Sequence, residues 1–525
     1  MTINSKKQDI LLTAICILLF ANRAIPIDCS SLWKIAILLL SYITIRLLCK
    51  QNFYFIFNII GFAGLLESII AILQNHHYID SNHHAFPVTG TFGNPGPLGG
   101  FLAVCLVIIF WLFYKSIQNK NSYLLMGYTV TALCICYGLL LTESRAGWLA
   151  ASIGLIFLIH AKIRHYFPIF QSPIHYKAII ISAVCIFICI LYFWKRDSAD
   201  GRLFIWLNTL NMIIDHPLLG TGTGGWLANY MYYQADYFTH HPESAYITLT
   251  DNVFYPYNEA LHFIAEQGIA GLFCLLLFFH SLFREKYTND AGHLLKGALL
   301  AFIVFACFSY PADVFILQLL FVCLIAMMQS RPTKTFFPRK TAYISYFIIL
   351  ICLMSTSIWS YRIYYRTSTE INKLVREDKG AIFSYRLLDN SALFFCHNSR
   401  LMYGYSQICF KIYAIDKALQ ILQSTSQIVP TCELYCDIGD LWKLKKDFIQ
   451  AEKNYRVAAS MIPNRLTPNY KLFQLYIEQG NKKAALQTGK VLLKQPAKRE
   501  GTKTLRMKAE VSEYLLKNQD SKIIE

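Results

Sequence analysis

The sequence predicts an all-α, polytopic membrane protein of about 11 transmembrane helices with a C-terminal helical-repeat domain. Three observations predict it. The chain is 55% hydrophobic and 15% charged, with a mean hydropathy of +0.37, too apolar for a soluble protein. Long apolar runs recur as far as residue 360. Beyond residue 361 the chain turns polar and repeats itself at a fixed period.

A spanning helix needs about 20 largely apolar residues. Residues 8–26, 31–49, 53–74, 97–116, 122–141, 146–163, 177–194, 260–282, 293–310, 312–329 and 341–360 read as such spans. The first lacks a clear small-residue cleavage site and is followed by more spans, so it reads as a retained helix. With Lys6 and Lys7 cytoplasmic, the inside loops carry Lys50, Lys115, Lys120, Lys162, Arg164, Lys177, Arg284, Lys286, Arg331, Lys334, Arg339 and Lys340. Residues 75–96 and the turn around Tyr310 and Pro311 carry no Lys or Arg, which favours this orientation. An odd number of spans then exports the C-terminus.

The net charge of +17 follows largely from that topology, and no nucleic-acid-binding motif accompanies it. Most of the sixteen cysteines lie in or beside spans, where a thiol packs as a small hydrophobe. Cys396, Cys409, Cys432 and Cys436 fall in the exported part, where an oxidising compartment would permit one disulfide among them.

The same orientation puts three polar stretches on the outward face: residues 75–96, the turn "TESR" between the fifth and sixth spans, and an excursion over 195–259. Their clustering on one face argues for a site at the membrane's outer edge. In the excursion, Leu203, Trp206, Leu207, Leu210, Ile213 and Ile214 recur at helical spacing, which predicts an amphipathic helix lying against the bilayer. Asp215, His216 and Pro217 end it, and Gly220, Gly222, Gly224 and Gly225 permit a sharp turn or close approach to a ligand.

In the C-terminal part, Ala418, Ala451 and Ala484 are 33 residues apart, as are Pro430, Pro463 and Pro496. That period, with small residues inside a helix and proline at its end, resembles tetratricopeptide repeats. Residues 365–525 are therefore expected to form a helical-repeat domain that offers a surface to a protein partner or acts as a spacer.

Four stretches in order, "TGTFGNPGPLGGFLA" (89–103), "LTESRAGWLA" (141–150), "RLFIWLNTLNMIIDHPLLGTGTGGW" (202–226) and "YNEALHFIAEQGIAGL" (257–272), resemble the superfamily of O-antigen ligases, O-antigen polymerases and bacterial protein O-oligosaccharyltransferases. The resemblance covers about residues 85–330 within a membrane domain of residues 1–360. It implies a multi-pass protein of a bacterial inner membrane with a periplasmic C-terminal domain. The implied reaction moves a glycan from an undecaprenyl-diphosphate carrier to a hydroxyl on lipid A-core, another glycan or a protein. No cofactor or metal is implied.

Such a site must stabilise a leaving diphosphate. Arg145 and Arg202 suit that role, because guanidinium binds phosphate oxygens bidentately and stays charged; Gly222 and Gly224 are expected beside them. Where the superfamily often has His-Asn, this chain has Tyr257-Asn258. A phenol with an ordinary pKa near 10 is a poor base at neutral pH. Tyr257, Asn258 and Glu259 are expected in the catalytic region, with His262, His240 and His241 as alternatives. Glu67, inside the third span, is a functional candidate or a helix-packing partner. His76, His77, His83 and His84 lack a carboxylate or thiolate partner at metal-binding spacing. A transporter of lipid-linked glycans is the rival reading, but the membrane half shows no obvious duplication.

Overall fold

The computed structural model describes residues 3–48, 53–83, 85–166, 182, 186, 188–285, 290–330, 340–376, 381–496 and 501–519. Helices lie over ten of the eleven expected spans; the other, 177–194, falls largely outside the described residues, as does His84. They are α1 (Ile3–Ala21), α2 (Leu32–Leu48), α3 (Tyr54–Asn75), α4 (Pro95–Gln118), α5 (Ser122–Leu141), α6 (Arg145–Tyr166), then, after α7 (Arg196–Asp215) and α8 (Gly225–His240) of the excursion, α9 (Glu259–Arg284), α10 (Asp290–Ala306), α11 (Phe315–Gln329) and α12 (Lys340–Arg376). Among the described residues five stretches are long and apolar enough to cross a bilayer: Cys29–Arg46, α3, α4, α5 and α9. The expectation for 312–329 shifts, because α11 begins only at Phe315. Ala312 and Asp313 stay in a short turn of Pro311–Asp313.

Helix α4 is the axis of the bundle. Asn94 caps it by accepting from the Gly96 amide at 2.9 Å, Pro95 opens its first turn, and Leu98 to Ile109 are buried without interruption. α3, α5, α6 and α10 pack around it. The closest approach is to α6, where a Cβ on Gly147 would meet the Gly99 carbonyl at 2.7 Å. Any larger residue there would drive the two helices apart.

α7 forms as the apolar spacing predicts. Phe204, Ile205, Thr209 and Met212 are buried, while Leu203, Leu207, Leu210 and Ile214 form an exposed apolar row. A soluble protein would rarely leave such a row open.

α12 runs for 37 residues, about 55 Å at a helical rise of 1.5 Å per residue, and so continues far beyond one bilayer crossing. It packs against α13 (Ala381–Phe395) and α14 (Ser399–Lys411), and the chain continues through α15 (Ile415–Ile428), α16 (Cys432–Leu444), α17 (Phe448–Met461), α18 (Leu466–Glu478), α19 (Lys482–Lys494) and α20 (Thr502–Gln519). Each helix from α14 onward packs on the next. Pro430, Pro463 and Pro496 each stand two residues past the end of a helix, α15, α17 and α19, so the 33-residue spacing marks equivalent helix ends. Cys396, Cys409, Cys432 and Cys436 are all free thiols, so the disulfide that an oxidising compartment would permit is not formed among them. Cys432 and Cys436 share one face of α16, a spacing that presents both sulfurs to the same core.

These C-terminal helices roof the excursion. Trp226, Tyr230 and Met231 of α8 share an apolar core with Cys432, Cys436, Ala458, Met461 and Ile462. Gln234 Nε2 donates to the Met461 carbonyl at 2.7 Å, and Arg465 pairs with Asp251 at 3.1 Å.

Candidate functional site

The polar stretches converge at one end of the bundle. Ser144 of the "TESR" turn donates to the Gly96 carbonyl and accepts from the Gly147 amide, which fixes the turn to the start of α4 and α6. Glu143, at a φ of 49°, pairs with Lys195 at 2.6 Å. Arg145 then points across to the excursion: Nη1 donates to the carbonyls of Leu191 (2.8 Å) and Lys195 (3.2 Å), and Nη2 to Ser198 Oγ (3.2 Å).

Arg202 approaches from α7. Its Nη1 donates to the Phe308 carbonyl at 3.0 Å, and its guanidinium lies 5.0 Å from the centre of the Tyr257 ring, within cation–π range. The two arginines line one cleft of about 220 Å³, with Leu149, Leu191, Trp206 and Phe308 among its apolar walls. Among the described residues neither arginine makes an ion pair with a carboxylate. Burial, reinforced by Arg145, lowers the Arg202 guanidinium below its ordinary pKa. This is a cationic, apolar-walled site with no anion of its own.

Three tyrosines close it on one side. Tyr255 stacks on Tyr310 at 4.1 Å, and Tyr257 meets Tyr310 edge-on at 5.4 Å. Burial pushes the Tyr257 phenol above its ordinary pKa, and its ring lies against the Arg202 guanidinium.

Beyond the tyrosines the charge reverses. Asn258 caps α9, accepting from the amides of Ala260 (3.0 Å) and Leu261 (3.1 Å), so its side chain is occupied by the helix. Glu259 accepts from the Ala312 amide at 2.8 Å. His262, one turn on, lies between two carboxylates, with Nδ1 3.4 Å from Glu259 and Nε2 3.4 Å from Glu266. Asp313 completes the cluster: its carboxylate and the polar ends of Glu259 and His262 lie within 4.8 Å of one another. Asp313 is exposed, yet crowding by the protein around it pushes it up to about 7. His262 opposes that shift, Glu259 and Glu266 reinforce it, and Lys34 opposes it more weakly. The three side chains have the composition of a metal site, but an ion would need an imidazole lone pair, and both His262 nitrogens face carboxylates. The arrangement suits an imidazole held by its neighbours.

Gly222 and Gly224 are placed differently from expectation. The Gly222 amide donates to the Glu266 carbonyl and the Gly224 amide to Glu266 Oε1, both at 2.8 Å, and a Cβ on Gly222 would meet the Ala24 amide nitrogen at 2.8 Å. Both amides are consumed inside the protein. Their φ of 84° lets the loop thread between α9 and residues 23–25. His240 and His241 stand at the far end of α8, sixteen residues long, or roughly 20 Å from Trp226 at a helical rise. Their side chains meet the carbonyls of Asp236 and Tyr237 in their own helix, His240 also lies 3.5 Å from the Asp236 carboxylate and His241 stacks on the Tyr237 ring, and neither is brought into the cluster. Glu67 accepts from the Thr91 amide at 3.0 Å and from its hydroxyl, and so anchors the loop before α4.

Sequence reasoning placed a turn around Tyr310 and Pro311 but did not bring Phe308–Asp313 into the site, where Phe308 holds Arg202, Tyr310 packs on Tyr257, and Ala312 holds Glu259. The only signal was a Pro and an acidic residue at the start of an apolar run.

Residues 130–276, which include both arginines and the start of α9, match the family described as O-antigen ligase. A ComP-specific O-oligosaccharyltransferase of Acinetobacter baylyi is 24% identical over 176 residues, 31% of each chain. A protein named as a polysaccharide ligase of Rickettsia prowazekii is 25% identical over 317 residues, 54% of this chain and 69% of its own. Another of that description from Rickettsia conorii is 28% identical over 210 residues, 36% of this chain and 44% of its own. The chain thus spans about a third of the Acinetobacter protein.

Proposed function

We propose that the protein transfers a glycan from a polyprenyl-diphosphate carrier, of the undecaprenyl class, to a hydroxyl acceptor on the periplasmic side of a bacterial inner membrane. One observation carries the reading: Arg145 and Arg202 share an apolar-walled cleft in which neither has a carboxylate partner among the described residues. The match to the O-antigen ligase family and the similarity to named polysaccharide ligases support it.

In this reading the diphosphate lies against the two guanidinium groups and the polyprenyl chain runs over Leu149, Leu191 and Trp206. As the anomeric carbon loses its diphosphate, negative charge grows on the leaving oxygen, where fixed cations in a water-poor cleft act most strongly. Arg202 is held by Phe308 and Tyr257 before substrate arrives, so little reorganisation is needed. The acceptor enters from the side of Glu259 and His262. Residues 1–360 form the transferase domain, with the N-terminus cytoplasmic. The helices of residues 365–525 form a periplasmic tetratricopeptide-like domain that presents a protein-binding surface beside the excursion.

The test is to incubate purified protein with an undecaprenyl-diphosphate oligosaccharide and, in parallel, lipid A-core, a second lipid-linked repeat unit or a hydroxyl-bearing protein. Transfer to one acceptor, read as its mass increase, is expected. Donor left intact with all three would overturn the proposal.

A further inference from the structure

The transfer reading leaves open which group receives the acceptor's proton. We infer that Asp313 takes the proton from the acceptor hydroxyl, and that Glu259, His262 and Glu266 are the frame that holds it in place. This rests on the glycan-transfer reading.

The argument is one of elimination by occupied atoms. Glu259 is bound by the Ala312 amide and faces His262. Glu266 Oε1 accepts from the amides of Gly224 and Trp226 at the start of α8 and also faces His262. His262 has a carboxylate at each nitrogen and the Trp226 ring edge-on at 5.7 Å, so it has no free lone pair to offer a hydroxyl. Asn258 is spent on the cap. The carboxylate of Asp313 alone in the group accepts no hydrogen bond among the described residues, and it is exposed. Its pKa, pushed up to about 7, suits a base that must accept a proton at neutral pH and give it back.

Position agrees with chemistry. Phe308, which holds Arg202, and Asp313 are five positions apart, a span of at most about 18 Å even in an extended chain. The turn curls through a short 3-10 segment, so the true separation is less. The diphosphate-binding arginine and the proton acceptor are thus fixed by one turn on opposite sides of the tyrosine wall.

In the step itself the acceptor oxygen forms a bond to the anomeric carbon while the bond from that carbon to the diphosphate oxygen breaks. The electron pair leaves with the diphosphate. The hydroxyl proton passes to Asp313, which then releases it to water, and no further reactant is required.

The experiment measures kcat/KM for the acceptor against pH with the full-length protein, in wild type, Asp313→Asn and Lys34→Gln. The groups facing Asp313 are Glu259, His262 and Glu266 from α9, Lys34 from α2, and Tyr255 and Tyr310. A base must be deprotonated to act, so the wild-type value should rise with pH through about 7 and level off above it. Asp313→Asn should lose about a hundredfold or more and flatten that rise, while donor binding and melting temperature stay near wild type. Lys34→Gln removes a charge that holds the Asp313 pKa down, so its rise should move to higher pH. Wild-type acceptor kcat/KM in Asp313→Asn, or a rise that stays put in Lys34→Gln, would overturn the inference even if Asp313→Asn proved unstable. Wild-type protein that transfers glycan to no acceptor would instead overturn the underlying reading.

Discussion

On one side of the Phe308–Asp313 turn, two arginines stand without an anionic partner among the described residues; on the other, three carboxylates crowd around one imidazole. Two other cations at the same edge are not left alone, since Lys195 pairs with Glu143 at 2.6 Å and Arg196 with Asp200 at 3.4 Å. The difference teaches how a single site can need both signs. A carboxylate 4 Å from a guanidinium gains about 4 kcal/mol at a surface-like dielectric, enough to displace a substrate phosphate. The packed rings of Tyr255, Tyr257 and Tyr310 stand between the two sets.

The contrast breaks most visibly at Arg202. Arg202→Lys keeps a charge but loses the planar fork that reaches both Phe308 and a phosphate, so kcat/KM for the donor should fall roughly a hundredfold. Turnover assays on protein with an unchanged melting temperature would check this, and full activity would leave the cationic half without a role. A smaller effect is expected at the wall. Tyr257→Phe keeps the ring under the guanidinium and should stay within about twofold of wild type, whereas Tyr257→Leu removes a contact of about 1 kcal/mol, roughly fivefold in donor affinity. Equal losses in the two variants would point to the hydroxyl.

Asn258→Ala sharpens the comparison differently, because it removes a cap worth about 1 kcal/mol and should lower the melting temperature more than the activity per folded molecule. Last, His240→Ala and His241→Ala should leave transfer unchanged, as both side chains bond only within α8. A large loss in either would move the acceptor-activating group away from Asp313.

The helices over the apolar runs and the amphipathic α7 were legible because burial in lipid leaves a pattern in neighbouring residues. Arg145 and Arg202, which line one cleft, drew notice for the same reason: a full charge beside apolar sequence needs an explanation. Asp313 was not. It sits at the edge of a run that reads as one span over 312–329, and its importance comes from residues some fifty positions earlier that fold beside it. Gly222 and Gly224 show the opposite failure. Glycine announces an unusual backbone, but the sequence does not say whether a ligand or the chain itself comes close, and here it is Ala24 and Glu266. The free thiols follow from Cys432 and Cys436 sharing a helix face that packs into the excursion's core.

Helix α9 breaks at Gly268, with φ 64° and ψ −168°, and the backbone groups freed there are taken up by the strap after α7: Ile269 donates to the Pro217 carbonyl at 2.9 Å and Ala270 to that of Leu218 at 3.3 Å. A Cβ at Gly268 would lie 2.2 Å from the Leu218 carbonyl oxygen. In a lipid environment such a break is tolerated only where other protein satisfies the freed groups. The order of biogenesis follows from this. The strap leaves the ribosome after residues 19–24, which it meets through the Asn22 side chain on the Leu219 carbonyl (2.6 Å) and the Thr223 hydroxyl on that of Leu19 (3.0 Å), whereas its contacts with Ile269 and Ala270 wait until α9 is made. The loop of Gly220 to Gly224 therefore reaches its final shape only once α9 exists, and a pause in synthesis between residues 220 and 268 would leave it joined to residues 19–24 alone, with Arg202 still lacking its Phe308 carbonyl.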